Sequence, residues 1–157
     1  MRITSWDLGN TFEQYINKEC KVLESEGSVF VSKNWEAPKK GGSFVSISTS
    51  KPDYSGFTAD GKHVVFDAKA TQNDFFAVSS LSKHQYEHLK NAHEHNAFAF
   101  VYALHYSKDT QDKYVIPMWF VIDMKSKRKN RVKFELIQQF KKEPMTTFDE
   151  YFNLLYS

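Results

Sequence analysis

Residues 97–104 read AFAFVYAL, an unbroken apolar run of residues that favour strands. The run is far short of the ~20 residues that cross a bilayer. An apolar stretch of strand length without polar alternation predicts a strand buried on both faces. Such a strand needs other strands beside it and helices above and below it. A second run, residues 115–122 (VIPMWFVI), reads the same way and predicts a strand over residues 114–122. The rest of the chain fits around these two. Phe12, Tyr15 or Ile16, Cys20 and Leu23 recur at helical spacing and predict a helix over residues 10–26, with Asn10 and Glu13 in a capping pattern. Strands are predicted over residues 28–35, 44–49, 54–57 and 63–70. Helices are predicted over residues 82–95 and 147–156, opened by Ser82 with Gln85 and by Thr147 with Glu150. This order predicts one α+β (α/β) domain over residues 1–157, with a mixed central sheet flanked by helices.

Composition allows that core and narrows the function. Of 157 residues, 41% are hydrophobic and 16% aromatic, so disorder is excluded. With 6 Gly and 4 Pro, collagen-like and low-complexity chains are excluded as well. Cys20 stands alone, which excludes an internal disulfide and a cysteine-based zinc site and fits a cytoplasmic compartment. The opening MRITSWDLGN has no apolar signal core, and no membrane partner is expected. The net charge of +2 does not announce a nucleic-acid partner.

That average hides two basic blocks. Lys33, Lys39, Lys40 and Lys51 stand against the single acid Glu36, with Gly41-Gly42 between them. Such a segment can track a phosphate backbone. Residues 125–133 (KSKRKNRVK) carry six positive charges and no acid. They read either as a solvated turn or as a non-specific DNA contact. His84, His88 and His95 share one face of their predicted helix, without the HExxH pattern that a zinc site would use. A solvated or DNA-facing stripe fits them better, and His84 in the first turn is the best placed for a phosphate. Neither a Walker A loop nor GxGxxG occurs, and no GxSxG selects a Ser-His-Asp triad.

The most informative stretch is residues 51–70, KPDYSGFTADGKHVVFDAKA. On a strand, Asp67 and Lys69 share one face while Phe66, Ala68 and Ala70 share the other. A three-residue loop Ala59-Asp60-Gly61 pairs Thr58 with Lys62 and sets Asp53 opposite Asp67. A loop one residue shorter or longer shifts the partner by one. Opposed carboxylates lie roughly 5 Å apart at Cβ and repel, so something must offset them. A divalent cation with oxygen ligands does so, with Mg²⁺ the best fit, and Lys69 adds a positive group to the face. The plainer alternative is a turn begun by Asp53 after Pro52, with Asp67 and Lys69 as an ion pair on an edge strand.

Pro52-Asp53 followed by Asp67-Ala68-Lys69 resembles the PD-(D/E)xK nuclease superfamily, and within it the RecU-type Holliday-junction resolvases. The resemblance is carried by Gly9-x-x-Phe12-Glu13, Asp53-Tyr54-Ser55-Gly56, Phe66-Asp67-Ala68-Lys69-Ala70 and His84-Gln85-x-x-His88-Leu89. The strand at residues 98–104 extends it, so that it covers residues 8–122. Two departures stand out. Asp67 takes the place of the family's usual Glu, with a shorter arm for the same hard cation. Only residues 39–51 stand where the family has a longer stalk, which touches junction selectivity more than cleavage and suits a phage-encoded version.

The resemblance implies a restriction-endonuclease-like fold and Mg²⁺-dependent hydrolysis of DNA phosphodiesters, with Mn²⁺ able to substitute. Asp53 and Asp67, with the carbonyl of Ala68, would hold the metal. Lys69 would orient or deprotonate the attacking water. Glu13 would reach the metal through water or a second ion, and Gln85 would position the phosphate or the water. Glu13 and Gln85 could instead simply cap their helices. Lys33, Lys39, Lys40, Lys51 and His84 are the expected DNA contacts. The expected substrate is a four-way junction and the expected assembly a two-fold homodimer, since two symmetric strands are cut. The predicted first helix and Phe148, Tyr151, Phe152 and Leu155 are candidates for its interface or for core packing. Two rivals remain: another nuclease of this scaffold acting on flaps, nicks or duplexes, and a non-catalytic DNA-binding module. Retention of Asp53, Asp67 and Lys69 argues against the second rival.

Overall fold

The computed structural model describes residues 4–34 and 52–143. The predicted strand at residues 44–49 and helix at residues 147–156 lie outside them, as do Lys39, Lys40 and Lys51. Three helices, α1 (Ser5–Ser25), α2 (Lys83–Glu94) and α3 (Met118–Ser126), accompany eight strands. These are β1 (Val29–Lys33), β2 (Tyr54–Thr58), β3 (His63–Thr71), β4 (Phe75–Ala77), β5 (Phe98–Tyr106), β6 (Gln111–Pro117), β7 (Arg131–Lys133) and β8 (Lys141–Lys142). Six strands form a mixed sheet in the order β1-β2-β3-β5-β6-β8. Only β3 and β5 run parallel, joined through α2, and the other pairs are antiparallel. Strands β4 and β7 make a small second sheet. The α+β architecture matches the expectation.

The central strands are covered on both faces, as the unbroken apolar run demands. Val64 and Phe66 of β3 join Phe100, Tyr102 and Leu104 of β5 in a core under α1, which contributes Leu8, Phe12, Ile16, Cys20 and Leu23. The alternate residues, Val65 of β3 and Ala99, Val101 and Ala103 of β5, face α2 and α3. Phe66 stacks between Tyr54 and Phe100 at ring-centroid distances of 4.8 and 4.7 Å.

Two boundaries differ from the sequence expectation. Helix α1 starts at Ser5, with Thr4 as its cap accepting from the Asp7 N–H at 3.1 Å. Asn10 and Glu13 therefore lie inside the helix and cap nothing. The predicted strand over residues 114–122 ends at Pro117, and residues 118–122 are helical. Proline has no N–H for the ladder, and its φ of −67° suits a helix start. The run of apolar side chains crosses both elements because both are buried.

The hairpin holds the expected register. The Thr58 N–H donates to the Lys62 carbonyl at 2.8 Å, and the Gly61 N–H to the Thr58 carbonyl at 2.9 Å. Gly61 has φ +87°, the left-handed conformation that such a loop needs. Pairing then runs from Phe57 opposite His63 to Tyr54 opposite Phe66. Gly56 serves a different end. A Cβ there would lie 1.9 Å from the Phe30 carbonyl oxygen of β1. Gly56→Ala must therefore part β1 from β2, and is expected to cost about 2–4 kcal/mol in urea denaturation.

Candidate active site

One residue beyond the Tyr54–Phe66 pair, Asp53 and Asp67 face each other. The Asp53 N–H donates to Asp67 Oδ1 at 2.8 Å, and the Ala68 N–H donates to Asp53 Oδ2 at 3.0 Å. Each carboxylate thus ties down the other's strand. Asp67 is fully buried, and among the described residues its Oδ2 has no hydrogen-bond partner. Burial first, and the Asp53 charge second, push the Asp67 carboxyl up to about 7. The Asp53 N–H and the Lys69 ammonium oppose that rise and are outweighed.

Lys69 lies on the same face of β3, two residues on. Its Nζ donates to Gln85 Oε1 at 3.1 Å. That same oxygen accepts from the Ser82 N–H at 3.0 Å, while Ser82 Oγ accepts from the Gln85 N–H at 3.1 Å. Gln85 is therefore a helix cap, as one sequence reading has it, and at the same time a partner of the lysine. Opposite Asp67 and Lys69 in the parallel ladder are the apolar Val101 and Ala103 of β5.

Glu13 is placed differently. It lies more than two turns into α1 and binds Lys33 at 2.5 Å, so these two predicted site residues satisfy each other. Tyr54, the residue after Asp53, points the other way, into the core under α1. Its hydroxyl donates to Asn17 Oδ1 at 3.1 Å, and burial together with the charges of Glu13 and Asp53 raises its pKa. His84 is exposed in the first turn of α2. His63, His88 and His95 line a surface depression, where His95 Nδ1 is 2.7 Å from its own helix's Asn91 carbonyl. Among the described residues, no group of three or more His, Cys, Asp or Glu could hold a metal ion.

Sequence reasoning missed Asn34. Its N–H donates to the Asp53 carbonyl at 2.8 Å, and its Nδ2 to the Pro52 carbonyl at 2.8 Å. Its Oδ1 accepts from Ser55 Oγ at 3.0 Å. Asn34 thereby fixes the backbone that presents Asp53. A lone Asn after a strand looks like any turn, and no sequence signal distinguishes it.

A mixed sheet whose hairpin sets Asp53 against Asp67, with Lys69 following on the same face, defines a chain of the PD-(D/E)xK type. The family model described as RecU, Recombination protein U, matches residues 7–155. The chain belongs to the Recombination protein U family. The Holliday junction resolvase RecU of Staphylococcus aureus strain JH9 is 29% identical over 114 residues, covering 63% of this chain and 53% of the relative. That of Listeria monocytogenes serotype 4a is 29% identical over 100 residues, covering 60% and 49%. The chain spans about half the length of the curated relatives it matches. Among solved structures, Hjc of Archaeoglobus fulgidus, a Holliday junction resolvase from an archaeal hyperthermophile, gives a TM-score of 0.48 at 16% identity, covering 80% of this chain and 88% of that one.

Proposed function

We propose that this chain is a divalent-metal-dependent endonuclease that resolves four-way DNA junctions, with Asp53, Asp67 and Lys69 as its catalytic residues. The observation that carries the reading is the Asp53–Asp67 pair. A buried carboxylate with a partnerless oxygen, facing a second carboxylate, is costly unless a cation joins them. Two carboxylates suit Mg²⁺, which keeps several waters and takes its other ligands from substrate phosphates. Mn²⁺ accepts the same oxygen donors.

When bound, such an ion supplies Lewis-acid charge at the scissile phosphate. Lys69, held by Gln85, orients the attacking water and takes its proton or screens the charge that develops on the phosphoryl oxygens. Gln85 sets the reach of Lys69. Glu13 and Lys33 hold the end of β1 against α1, beside the segment that carries Asp53. Lys33, Lys39, Lys40, Lys51 and His84 are the proposed backbone contacts. A two-fold dimer of single nuclease domains would bring two such sites to the symmetric strands of one junction. Among the described residues no helix is long and apolar enough to cross a membrane.

The test is to incubate the protein with four-way junction, flap, nicked and linear duplex DNA in Mg²⁺, Mn²⁺ or EDTA. Paired symmetric nicks in the junction that need the metal support the proposal. Preferential flap or duplex cutting replaces the resolvase with another nuclease of the same chemistry. Binding without cleavage in either metal sinks the catalytic reading.

A second test reads the two duties of Gln85 side by side, the cap as stability and the lysine contact as rate. Gln85→Ala is expected to lose about 1 kcal/mol of stability with the cap, and roughly 10-fold or more in cleavage rate. Gln85→Glu restores the capping box and still accepts from Lys69. Thermal melts should therefore return to the wild-type midpoint. Lys69→Ala is expected to keep cation binding and fold while losing about 10²–10⁴-fold in rate. Full activity in Lys69→Ala removes that residue from the site.

A further inference from the structure

Beside α2 lies a cleft of about 410 Å³ that the proposed catalytic chemistry does not use. It opens between the start of α2, the short 3-10 turn Val78–Ser80 and the loop from α3 to β7. Lys83, Lys125, Arg128 and Lys129 line it, and no carboxylate does. Among the described residues none of these four forms an ion pair. Lys125 instead lies over the Tyr86 ring, 3.8 Å from its centroid. The one acid in this part of α3, Asp123, is taken by Lys127 at 3.0 Å.

The loop is fixed. Asn130 accepts from the Ser79 N–H through Oδ1 at 2.9 Å, and donates from Nδ2 to Ser79 Oγ at 3.1 Å. Its carbonyl accepts from the Val78 N–H at 2.8 Å. Helix α3 ends in the paired bonds of a Schellman turn, Lys129 N–H to Met124 carbonyl at 2.9 Å and Arg128 N–H to Lys125 carbonyl at 3.1 Å. That turn places Arg128 at φ +56°, the left-handed position where glycine is favoured. Here a long cationic side chain is kept at a strained position, and it lines the cleft. Strain of this kind, retained where glycine would relieve it, points to a use for the side chain.

We propose that this cleft is a second DNA-contact surface, which takes the phosphate backbone of a duplex arm next to the strand being cut. The proposal rests on the nuclease reading above and extends it to residues outside the catalytic hairpin. Exposed cations spread along a rigid loop suit the repeated charge of a phosphodiester chain, which calls for position rather than base identity. The cleft also adjoins the site. Ser82 lies on its wall, and the Ser82 N–H shares the Gln85 oxygen that holds Lys69. A backbone seated there would run toward the carboxylate pair.

The test is fluorescence anisotropy of four-way junction and duplex DNA across a KCl series. Ca²⁺ stands in for Mg²⁺ as a hard oxygen-seeking cation, with EDTA in parallel. Each lost phosphate contact should lower the slope of log K against log salt by about 0.9 and the affinity at ~0.1 M salt by about tenfold. Arg128→Gly is expected to lose one such unit while its thermal midpoint stays level or rises. Lys83→Gln with Lys129→Gln should lose about two. Mn²⁺ uptake by calorimetry should be unchanged in both, since neither touches Asp53 or Asp67. Wild-type slopes in both variants overturn this proposal alone. A wild-type protein that binds no DNA in either condition overturns the nuclease reading and this proposal together.

Discussion

Asp67→Asn is expected to abolish cleavage and, in the same molecule, to stabilise the metal-free fold. Asparagine matches aspartate in shape, and its Oδ1 can keep accepting the Asp53 N–H that now donates at 2.8 Å. What changes is charge. The amide brings N–H donors toward the Asp53 carboxylate in place of a second negative group. The wild-type carboxyl is pushed up to about 7 by burial and by Asp53, so holding it ionised at pH 8 costs on the order of 4 kcal/mol. Relief of that cost should raise the melting temperature in EDTA by roughly 8–16 °C. Cleavage should fall by about 10³-fold or more, because a neutral amide is a poor ligand for a hard dication. Differential scanning fluorimetry and a junction-cutting assay on one preparation check both halves. An Asp67→Asn protein that melts below wild type in EDTA contradicts the account of the pair. Wild-type cleavage rates remove Asp67 from the metal site.

The second large effect is a pH dependence that a divalent cation reverses. Below about pH 4, near its ordinary pKa of 3.8, Asp67 is protonated in both the folded and the unfolded chain. Between there and about 7 the folded protein holds a proton that the unfolded chain has lost. Through this group, stability of the metal-free protein is therefore fully present only below about pH 4 and falls as pH rises through that window. The limiting slope is about 1.4 kcal/mol per pH unit. A cation bound to the ionised pair works in the opposite direction, because it selects the folded, deprotonated state. Melting temperatures in EDTA should fall from pH 5 to pH 8, and added Mg²⁺ or Mn²⁺ should restore far more at pH 8 than at pH 5. Asp67→Asn should flatten both trends. A rise in metal-free stability across the same range contradicts the assignment of the raised carboxyl.

Much of this site was legible because hairpin geometry is local. Three loop residues with a terminal glycine fix the register, and period-two alternation then puts Asp53, Asp67 and Lys69 on one face without further information. The cap at Ser82 and Gln85 was legible for the same reason, since four consecutive residues contain the whole motif. Tertiary relations were not legible. Asn10 and Glu13 imitate a cap that Thr4 in fact supplies, because an exposed Trp6 and Gly9 blur the apolar stripe before Phe12. The strand-to-helix change at Pro117 was hidden by side chains that are apolar in both elements. Glu13 is bound to Lys33, and Asn34 clamps the Pro52–Asp53 backbone; each partnership joins segments about twenty residues apart, and no periodicity encodes it.

Gln85 Oε1 serves two donors, and this links the position of Lys69 to the fraying of a helix. Whenever the first turn of α2 opens, the Ser82 amide is released to solvent and the same rotation takes away the lysine's partner. The Ser82 amide should then exchange with deuterium through the opening that also frees Lys69. Helix ends open on the sub-microsecond scale, far faster than any turnover the site would perform. Lys69 is thus held by a contact that reforms many times within one turnover of the proposed reaction, and its effective placement is an equilibrium set by a single helix cap.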